Sequence, residues 1–347
     1  MLGWLQYSFA AIVALKRTEA TVLVTLLDPR EATRVRAWLV RSGFEARVLG
    51  EGTTLLVEDP FVPFAIEDAL RSDPAVAVVE ATVELPRRVR RYTPDDAPWP
   101  FEGGYPDVIA GPCSVESPEV AEEVAACLSR LKLGWMRGGT HKIRTSPEQF
   151  QGAGLLAARW LREACDRHGL RAISEVVDTG DMEAIADMLD ILQVGARQMH
   201  NPHFLQRVAA LRKPVLLKRG LSATPLEWLW AGEYLLKAGA PYVIFCERGI
   251  RTPSPLKRFT LDLQAIPFIR QMSAYPVFVD PSHAAGSSPY VLPLALGARA
   301  AGAQGLLVEC HPDPSCARSD ATQALDLVQL EDLVRRVRAL HLEEVTP

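Results

Sequence analysis

The chain has 347 residues, of which 48% are hydrophobic and 23% charged, and 38 Lys and Arg face 42 Asp and Glu for a net charge of −4. That balance excludes wholesale disorder, and the absence of net positive charge argues against nucleic acid as a partner. The length fits two domains, or one barrel of about 250 residues carrying an appendage.

In chain order, Leu2–Leu15 is apolar yet shorter than the ~20 residues of a membrane span. Lys16 and Arg17 follow this stretch, the reverse of a secretory signal. Residues 1–19 are read as an N-terminal extension, an added helix or strand or an over-extended start, with no membrane contact. Residues 20–82 read as a small α/β unit. Ala20–Leu27 is a β-branched and aliphatic strand, and Asp28-Pro29-Arg30-Glu31 is a helix start with an N-cap, Pro at the first position and an acid in the first turn. The helix runs through Val40 and closes at Gly43. Strands at Phe44–Leu49 and Thr53–Glu58, a helix at Ala65–Arg71 and a strand at Ala75–Val79 complete a β-α-β-β-α-β order, the ferredoxin-like arrangement. Residues 83–106 read as a linker. Pro86, Pro94, Pro98, Pro100 and Pro106 interrupt any regular element, and Arg87, Arg88, Arg90 and Arg91 form a basic run, solvated or set against a neighbouring domain.

Residues 107–347 alternate short apolar runs with amphipathic stretches eight times. The runs are Val108–Ala110, Leu133–Met136, Ala172-Ile173, Ile191–Val194, Pro214–Leu217, Tyr242–Phe245, Val277–Val279 and Gly305–Val308. Helix starts are written at Ser117-Pro118, Ser146-Pro147-Glu148-Gln149 and Thr224-Pro225-Leu226-Glu227, the last two as capping boxes. Eight alternations predict a (β/α)8 TIM barrel rather than an open sheet.

The runs are followed in turn by Cys113, Arg137, Glu175, Arg197, Lys218, Arg248, His283 and Glu309. Any one of them alone would be the polar edge of a loop. In a barrel all eight converge on the C-terminal mouth, where barrel enzymes place their chemistry. Cys113, His283 and Glu309, with Asp320 in the loop beyond, are metal-ligand types whose mixed soft and hard donors suit one divalent ion such as Mn, Fe, Co or Zn. Arg137, Lys142, Arg144, Arg197, Lys218 and Arg248 are cations whose mutual repulsion requires an anion among them: more than one phosphate, or a phosphate and a carboxylate. Glu175 is the acid among them, suited to handling a proton or holding a water. Cys127, Cys165, Cys246 and Cys310 are assigned to packing, and His168, His200, His203 and His341 to the surface. Six cysteines without a CxxC pair exclude a disulfide scaffold and a zinc ribbon and point to a reducing cytoplasm.

Gly111-Pro112-Cys113-Ser114-Val115-Glu116-Ser117, Arg137-Gly138-Gly139, Lys142-Ile143-Arg144-Thr145-Ser146-Pro147, Gly195-Ala196-Arg197, Leu217-Lys218-Arg219-Gly220, Cys246-Glu247-Arg248-Gly249 and Val279-Asp280-Pro281-Ser282-His283 occur in this order. With these motifs the chain resembles type I 3-deoxy-D-arabino-heptulosonate 7-phosphate (DAHP) synthases that carry an N-terminal ferredoxin-like regulatory domain. The resemblance implies condensation of phosphoenolpyruvate with erythrose 4-phosphate, the entry to the shikimate pathway. It implies that Cys113, His283, Glu309 and Asp320 hold the metal, which acts on or positions the aldehyde carbonyl. Arg137, Lys142, Arg197, Lys218 and Arg248 would bind phosphoenolpyruvate, and Lys142, Arg144, Thr145 and Ser146 the aldose phosphate. Glu175 and Lys218 would hold the water that adds at C2, and Lys142 would protonate the new alkoxide. The resemblance further implies an aromatic amino-acid effector, tyrosine or phenylalanine, bound between two small domains, and a homotetramer.

The chain departs from the family pattern at Ile143, where Pro is usual, and at His141, where Phe is usual. Ile does not lock φ as Pro does, so either neighbouring packing shapes this loop or the aldehyde preference differs. Two alternatives stay open. A 3-deoxy-D-manno-octulosonate 8-phosphate synthase shares the barrel and the cations but has Lys-Ala-Asn-Arg where this chain has Lys142-Ile143-Arg144. A catalytically silent anion-binding barrel would have no need of the metal ligands. The geometric expectation is that the Cys113 thiol and the His283 imidazole reach a common ion.

Overall fold

The structure is a computed structural model that describes residues 22–49, 52–57, 59, 62–81, 86–89, 100–101, 104–144, 146–253 and 258–340. The predicted extension 1–19, most of the predicted linker, His341 and the candidate ligand Thr145 lie outside the described residues. The chain divides into two compact units, Met1–Leu85 and Pro86–Pro347.

In the first unit, β1 (Val22–Leu26), β2 (Ala46–Leu49), β3 (Thr54–Val57) and β4 (Val76–Ala81) form an antiparallel sheet in the order β2-β3-β1-β4. Helices Ala32–Arg41 and Phe64–Ser72 complete the ferredoxin-like order. Period-2 alternation sends Val22, Val24 and Leu26 of β1 into one core with Val35, Leu39, Leu55, Val57, Leu70 and Val79. The Asp28 side chain accepts from the Arg30 N–H at 2.9 Å, as its N-cap position predicts, and opens a short 3-10 turn before the helix.

The second unit is a closed parallel barrel of eight strands: β5 (Val108–Gly111), β6 (Trp135–Arg137), β7 (Arg171–Glu175), β8 (Ile191–Val194), β9 (Val215–Lys218), β10 (Val243–Glu247), β11 (Val277–Val279) and β12 (Gly305–Glu309). Each corresponds to one predicted apolar run. Several end one or two residues later than the run, so Arg137, Glu175, Lys218 and Glu309 are the last residues of their strands, not the first of their loops. The apolar criterion stopped at the polar residue, but the ladder continues through it because its backbone still pairs.

Ser117 caps helix Pro118–Arg130, and Thr224 with Glu227 forms the reciprocal capping box of helix Pro225–Lys237, both as expected. The capping box predicted at Ser146 opens no helix: residues 146–149 are turns, and the helix begins at Leu155. The intervening chain is folded back by a bridge between His141 and Gly152, and Gly152 and Gly154 take φ of +93° and +58°, which ends any right-handed helical run.

Part of the predicted linker belongs to this unit. Val89 is fully buried, and its carbonyl accepts from the Ala274 N–H at 2.9 Å. Phe101 lies at the N-terminal end of the strands, stacked on Phe278 (5.7 Å between centroids) and edge-on to Trp135 (5.2 Å). It is 1% exposed, so Phe101→Ala should remove about 3–5 kcal/mol of stability and lower the midpoint of denaturant unfolding, leaving the distant mouth intact. Among the described residues no helix is long and apolar enough to cross a membrane.

Candidate active site

The C-terminal mouth of the barrel gathers side chains from strands far apart in sequence. Cys113 follows β5 by two residues and is buried, and Glu309 ends β12. His283 lies in a one-turn helix, Pro281–Ala285, directly after β11. Asp280 caps that helix, its Oδ1 accepting from the His283 N–H at 2.9 Å. Asp320 stands in the loop beyond β12 with φ of +53°, a left-handed conformation that Asp tolerates better than most residues. One donor atom from each of Cys113, His283, Glu309 and Asp320 lies within 4.8 Å of the other three. The Cys113 sulfur and a His283 ring nitrogen are therefore near enough to each other to share an ion.

The contacts within this cluster are those of groups crowded around a common point. The Cys113 thiol donates to Asp320 Oδ2 at 3.1 Å, and His283 Nε2 lies 3.4 Å from Glu309 Oε1. Burial pushes the Cys113 thiol up to about 12, and the carboxylate of Glu309 adds to the shift. Burial pushes Asp320 and Glu309 upward as well, but His283, together with Arg258 for Asp320 and Arg137 for Glu309, holds both carboxyls below their usual range. Two carboxylates, an imidazole and a thiol in a buried pocket are a donor set that a divalent cation fits in number and chemistry.

A second layer holds these groups in place. Asp280 Oδ2 meets His283 Nδ1 at 2.6 Å and accepts from Lys218 Nζ at 2.5 Å, which turns His283 Nε2 toward the cluster. Glu309 accepts from Arg137 at 3.0 Å and from the Gln323 amide at 2.5 Å. The roles of Asp280 and Gln323 were not inferred from the sequence. Asp280 carried a detectable signal, an N-cap residue before Pro281 at the end of a predicted strand, whereas Gln323 carried none.

Beside the cluster is a cavity of about 250 Å³ lined by Lys142, Ile143, Arg144, Gln149, Glu175, Arg197, Arg248, Arg258, His283 and Asp320. Five cations thus face two carboxylates. Lys142, Arg144, Arg197 and Arg248 are the predicted cations. Arg258, from the loop after β10, was missed; it donates to Gln323 Oε1 at 2.6 Å and lies 3.3 Å from Asp320 Oδ1. Arg248 is 5% exposed, packs its guanidinium over Phe259 at 4.3 Å, and leaves Nη1 with no hydrogen-bond partner among the described residues. That buried N–H faces no acceptor of this chain among the described residues and can donate to an anion in the cavity. Arg137 and Lys218 are not in the cavity lining and are instead paired with Glu309 and Asp280.

The remaining predictions divide. Glu175 lines the cavity and accepts from the Gln193 amide at 3.2 Å. Its place depends on Gly195, where a Cβ would come within 2.1 Å of Glu175 Oε1. Lys142 depends in the same way on Gly139, where a Cβ would meet Lys142 Nζ at 2.8 Å. Ser146 does not line the cavity, and its hydroxyl accepts from the Glu148 N–H at 3.3 Å. His141 faces Asp181 at 3.6 Å and is not among the residues that line the cavity. Cys127, Cys165, Cys246 and Cys310 are buried, and all six cysteines are free. His200 and His203 are exposed, and His168 is half-buried against Glu122.

Known proteins share this architecture. The family model of the DAHP synthetase I family matches residues 102–342. A phospho-2-dehydro-3-deoxyheptonate aldolase of Thermotoga maritima is 44% identical over 237 residues, covering 68% of this chain and 70% of that protein. A 2-dehydro-3-deoxyphosphooctonate aldolase of Acidithiobacillus ferrooxidans is 29% identical over 266 residues, covering 71% and 93%. The crystal structure of the phospho-2-dehydro-3-deoxyheptonate aldolase (DAHP synthase) of Thermotoga maritima superposes with a TM-score of 0.70 at 34% identity, over 93% of this chain and 97% of that one. The barrel, the motifs at its mouth and these likenesses agree: the chain belongs to the DAHP synthetase I family.

Proposed function

We propose that the chain condenses phosphoenolpyruvate with erythrose 4-phosphate and water to give 3-deoxy-D-arabino-heptulosonate 7-phosphate and inorganic phosphate, the first step of the shikimate pathway. One observation carries the reading: five cations line a cavity whose wall also includes His283 and Asp320 of the four-donor cluster. Two phosphates and one carboxylate supply the anions that such a cavity needs.

Cys113, His283, Glu309 and Asp320 would hold one divalent ion, Mn, Fe, Co or Zn. When bound, such an ion supplies Lewis-acid polarisation of a carbonyl oxygen. Arg197 and Arg248, with Arg137 and Lys218 adjoining, take the phosphate and carboxylate of phosphoenolpyruvate. Arg144, which lines the cavity, receives the aldose phosphate together with Thr145 of its loop. Held in this way, C3 of phosphoenolpyruvate attacks the aldehyde carbon, and Lys142 delivers a proton to the former aldehyde oxygen. Glu175 and Lys218 hold the water that adds at C2, and Glu175 takes its proton. The C2 hydroxyl then collapses to a ketone, its proton passing to the phosphate that departs with its bridging oxygen.

Glu175→Gln should lower kcat by about 10²–10³-fold with the KM for phosphoenolpyruvate little changed; unchanged turnover would remove Glu175 from the scheme. The overall reading is tested by incubating the metal-loaded chain with phosphoenolpyruvate and a panel of four- and five-carbon aldose phosphates while following phosphoenolpyruvate loss. Preference for erythrose 4-phosphate supports it. Preference for arabinose 5-phosphate would assign the octulosonate reaction named for the 29% identical relatives. No consumption and no bound cation would leave a silent barrel.

The first unit is assigned to feedback control by tyrosine or phenylalanine, bound between two such domains in a cytoplasmic homotetramer. Its deletion should abolish end-product inhibition and leave turnover of the barrel within about threefold, as a regulatory site separate from the chemistry requires. Equal inhibition of the truncated chain would refute this role.

A further inference from the structure

Two loops of the barrel mouth, far apart in sequence, grip each other beside the cavity. The loop after β6 closes at its base: the Lys142 N–H donates to the Gln151 carbonyl at 2.8 Å, and the Gly154 N–H to the Thr140 carbonyl at 3.0 Å. The excursion between them is held from outside. The Arg318 guanidinium stacks over the Phe150 ring at 3.8 Å. Arg144, whose Nε donates to the Phe150 carbonyl at 3.3 Å, also donates to the Ser319 hydroxyl and lies 4.0 Å from Asp320 Oδ1.

The loop after β12 is pinned in turn. The Arg318 N–H donates to Glu116 Oε1 at 2.7 Å, and the Ser319 hydroxyl lies 3.0 Å from the Cys113 sulfur. Three consecutive residues thus join the two loops to the donor cluster: Arg318 reaches the Phe150 ring, Ser319 reaches Arg144 and the cluster donor Cys113, and Asp320 is itself a cluster donor. Among the described residues the Arg318 guanidinium meets no carboxylate; its contact with Phe150, together with the Arg144–Ser319 hydrogen bond, ties the two loops to each other. A loop that carries a cluster donor is joined by this tie to the loop that carries Arg144.

We propose that Phe150 and Arg318 are a positioning pair that couples cation binding at the Cys113–His283–Glu309–Asp320 cluster to binding of the aldose phosphate. The proposal rests on the function assigned above. By reciprocity, whatever holds the Asp320 loop in place also holds the Arg144 loop, and the converse. An arginine–aromatic contact at a partly exposed site changes an equilibrium about two- to fivefold, and more where water is excluded.

The test uses Arg318→Ala, Phe150→Ala, the double variant, and the conservative Arg318→Lys and Phe150→Tyr, all in the full chain. Two quantities are read: the dissociation constant of Co²⁺ without substrates, from thiolate charge-transfer absorption, and the KM values of the metal-saturated enzyme. Each alanine variant should bind Co²⁺ about three- to fivefold more weakly and raise the KM for erythrose 4-phosphate by a similar factor. The KM for phosphoenolpyruvate should stay within about twofold, the double variant should be no worse than the worse single one, and the conservative variants should recover most of the loss. Co²⁺ affinity unchanged in both single variants, losses that multiply in the double variant, or equal shifts in both KM values would each overturn the coupling. If an alanine variant does not fold, Arg318→Gln and Phe150→Leu are read by the same criteria. Should the unaltered chain consume no aldose phosphate, the functional reading fails by itself, while Co²⁺ affinity across the same cycle still decides the coupling.

Discussion

Cys113→Ala is expected to lower kcat/KM by about 10³-fold or more, and chelation of the unaltered chain should produce the same loss. Removing the buried sulfur takes one donor from a cluster in which all four donor atoms lie within 4.8 Å of one another. Lewis-acid stabilisation worth several kcal/mol corresponds to about 10³ in rate. The anion cradle is built from other residues: Arg197 and Arg248 line the cavity without touching the Cys113 sulfur. Calorimetric binding of phosphoenolpyruvate should therefore stay within about threefold of the parent in the variant. Full activity in Cys113→Ala together with insensitivity to chelators would show that the cluster holds no catalytic ion. Loss of phosphoenolpyruvate binding in step with activity would show that cluster and cradle are not separable.

For Asp280→Asn we expect a variant that is both less stable and poorer at holding a cation. Asp280 is fully buried and accepts from the His283 N–H, meets His283 Nδ1 and accepts from Lys218 Nζ. Burial pushes its carboxyl up, but the charges of His283 and Lys218 prevail and hold it well below the usual carboxylate range. Asn keeps the oxygen that caps the Pro281–Ala285 helix and loses the charge. Lys218, 3% exposed, then stands buried without its counter-ion, a loss that costs about 3–5 kcal/mol when one partner of a buried pair is removed. The imidazole also loses the carboxylate that fixes its orientation, which should weaken cation affinity about 10–100-fold. Thermal unfolding with and without added cation reads both effects: a lowered midpoint in chelator, and a smaller rise on adding metal than in the parent. A midpoint and a metal-induced rise equal to those of the parent would show that His283 and Lys218 are held by other groups.

The sequence by itself determined the elements and the donor types. Eight apolar runs foretold eight strands because parallel barrel strands are buried on both faces and have no other way to be written. Ser117, Asp28 and Thr224 announced helix starts because capping is a contact within four residues. The polar residue beside each run supplied Cys113, His283, Glu309 and the cations, since closure of a barrel brings every strand end to one rim. The tertiary structure alone decided which of these residues touch and what holds them. Asp280 and Gln323 orient the cluster, Arg258 joins the cavity, and Arg137 and Lys218 pair with carboxylates, through contacts among strand ends and loops that no local period records. The capping pattern at Ser146 gave way to a turn for the same reason: bonds from Thr140 and Lys142 to the Gln151–Gly154 stretch outweigh a helix start that satisfies only its own first turn.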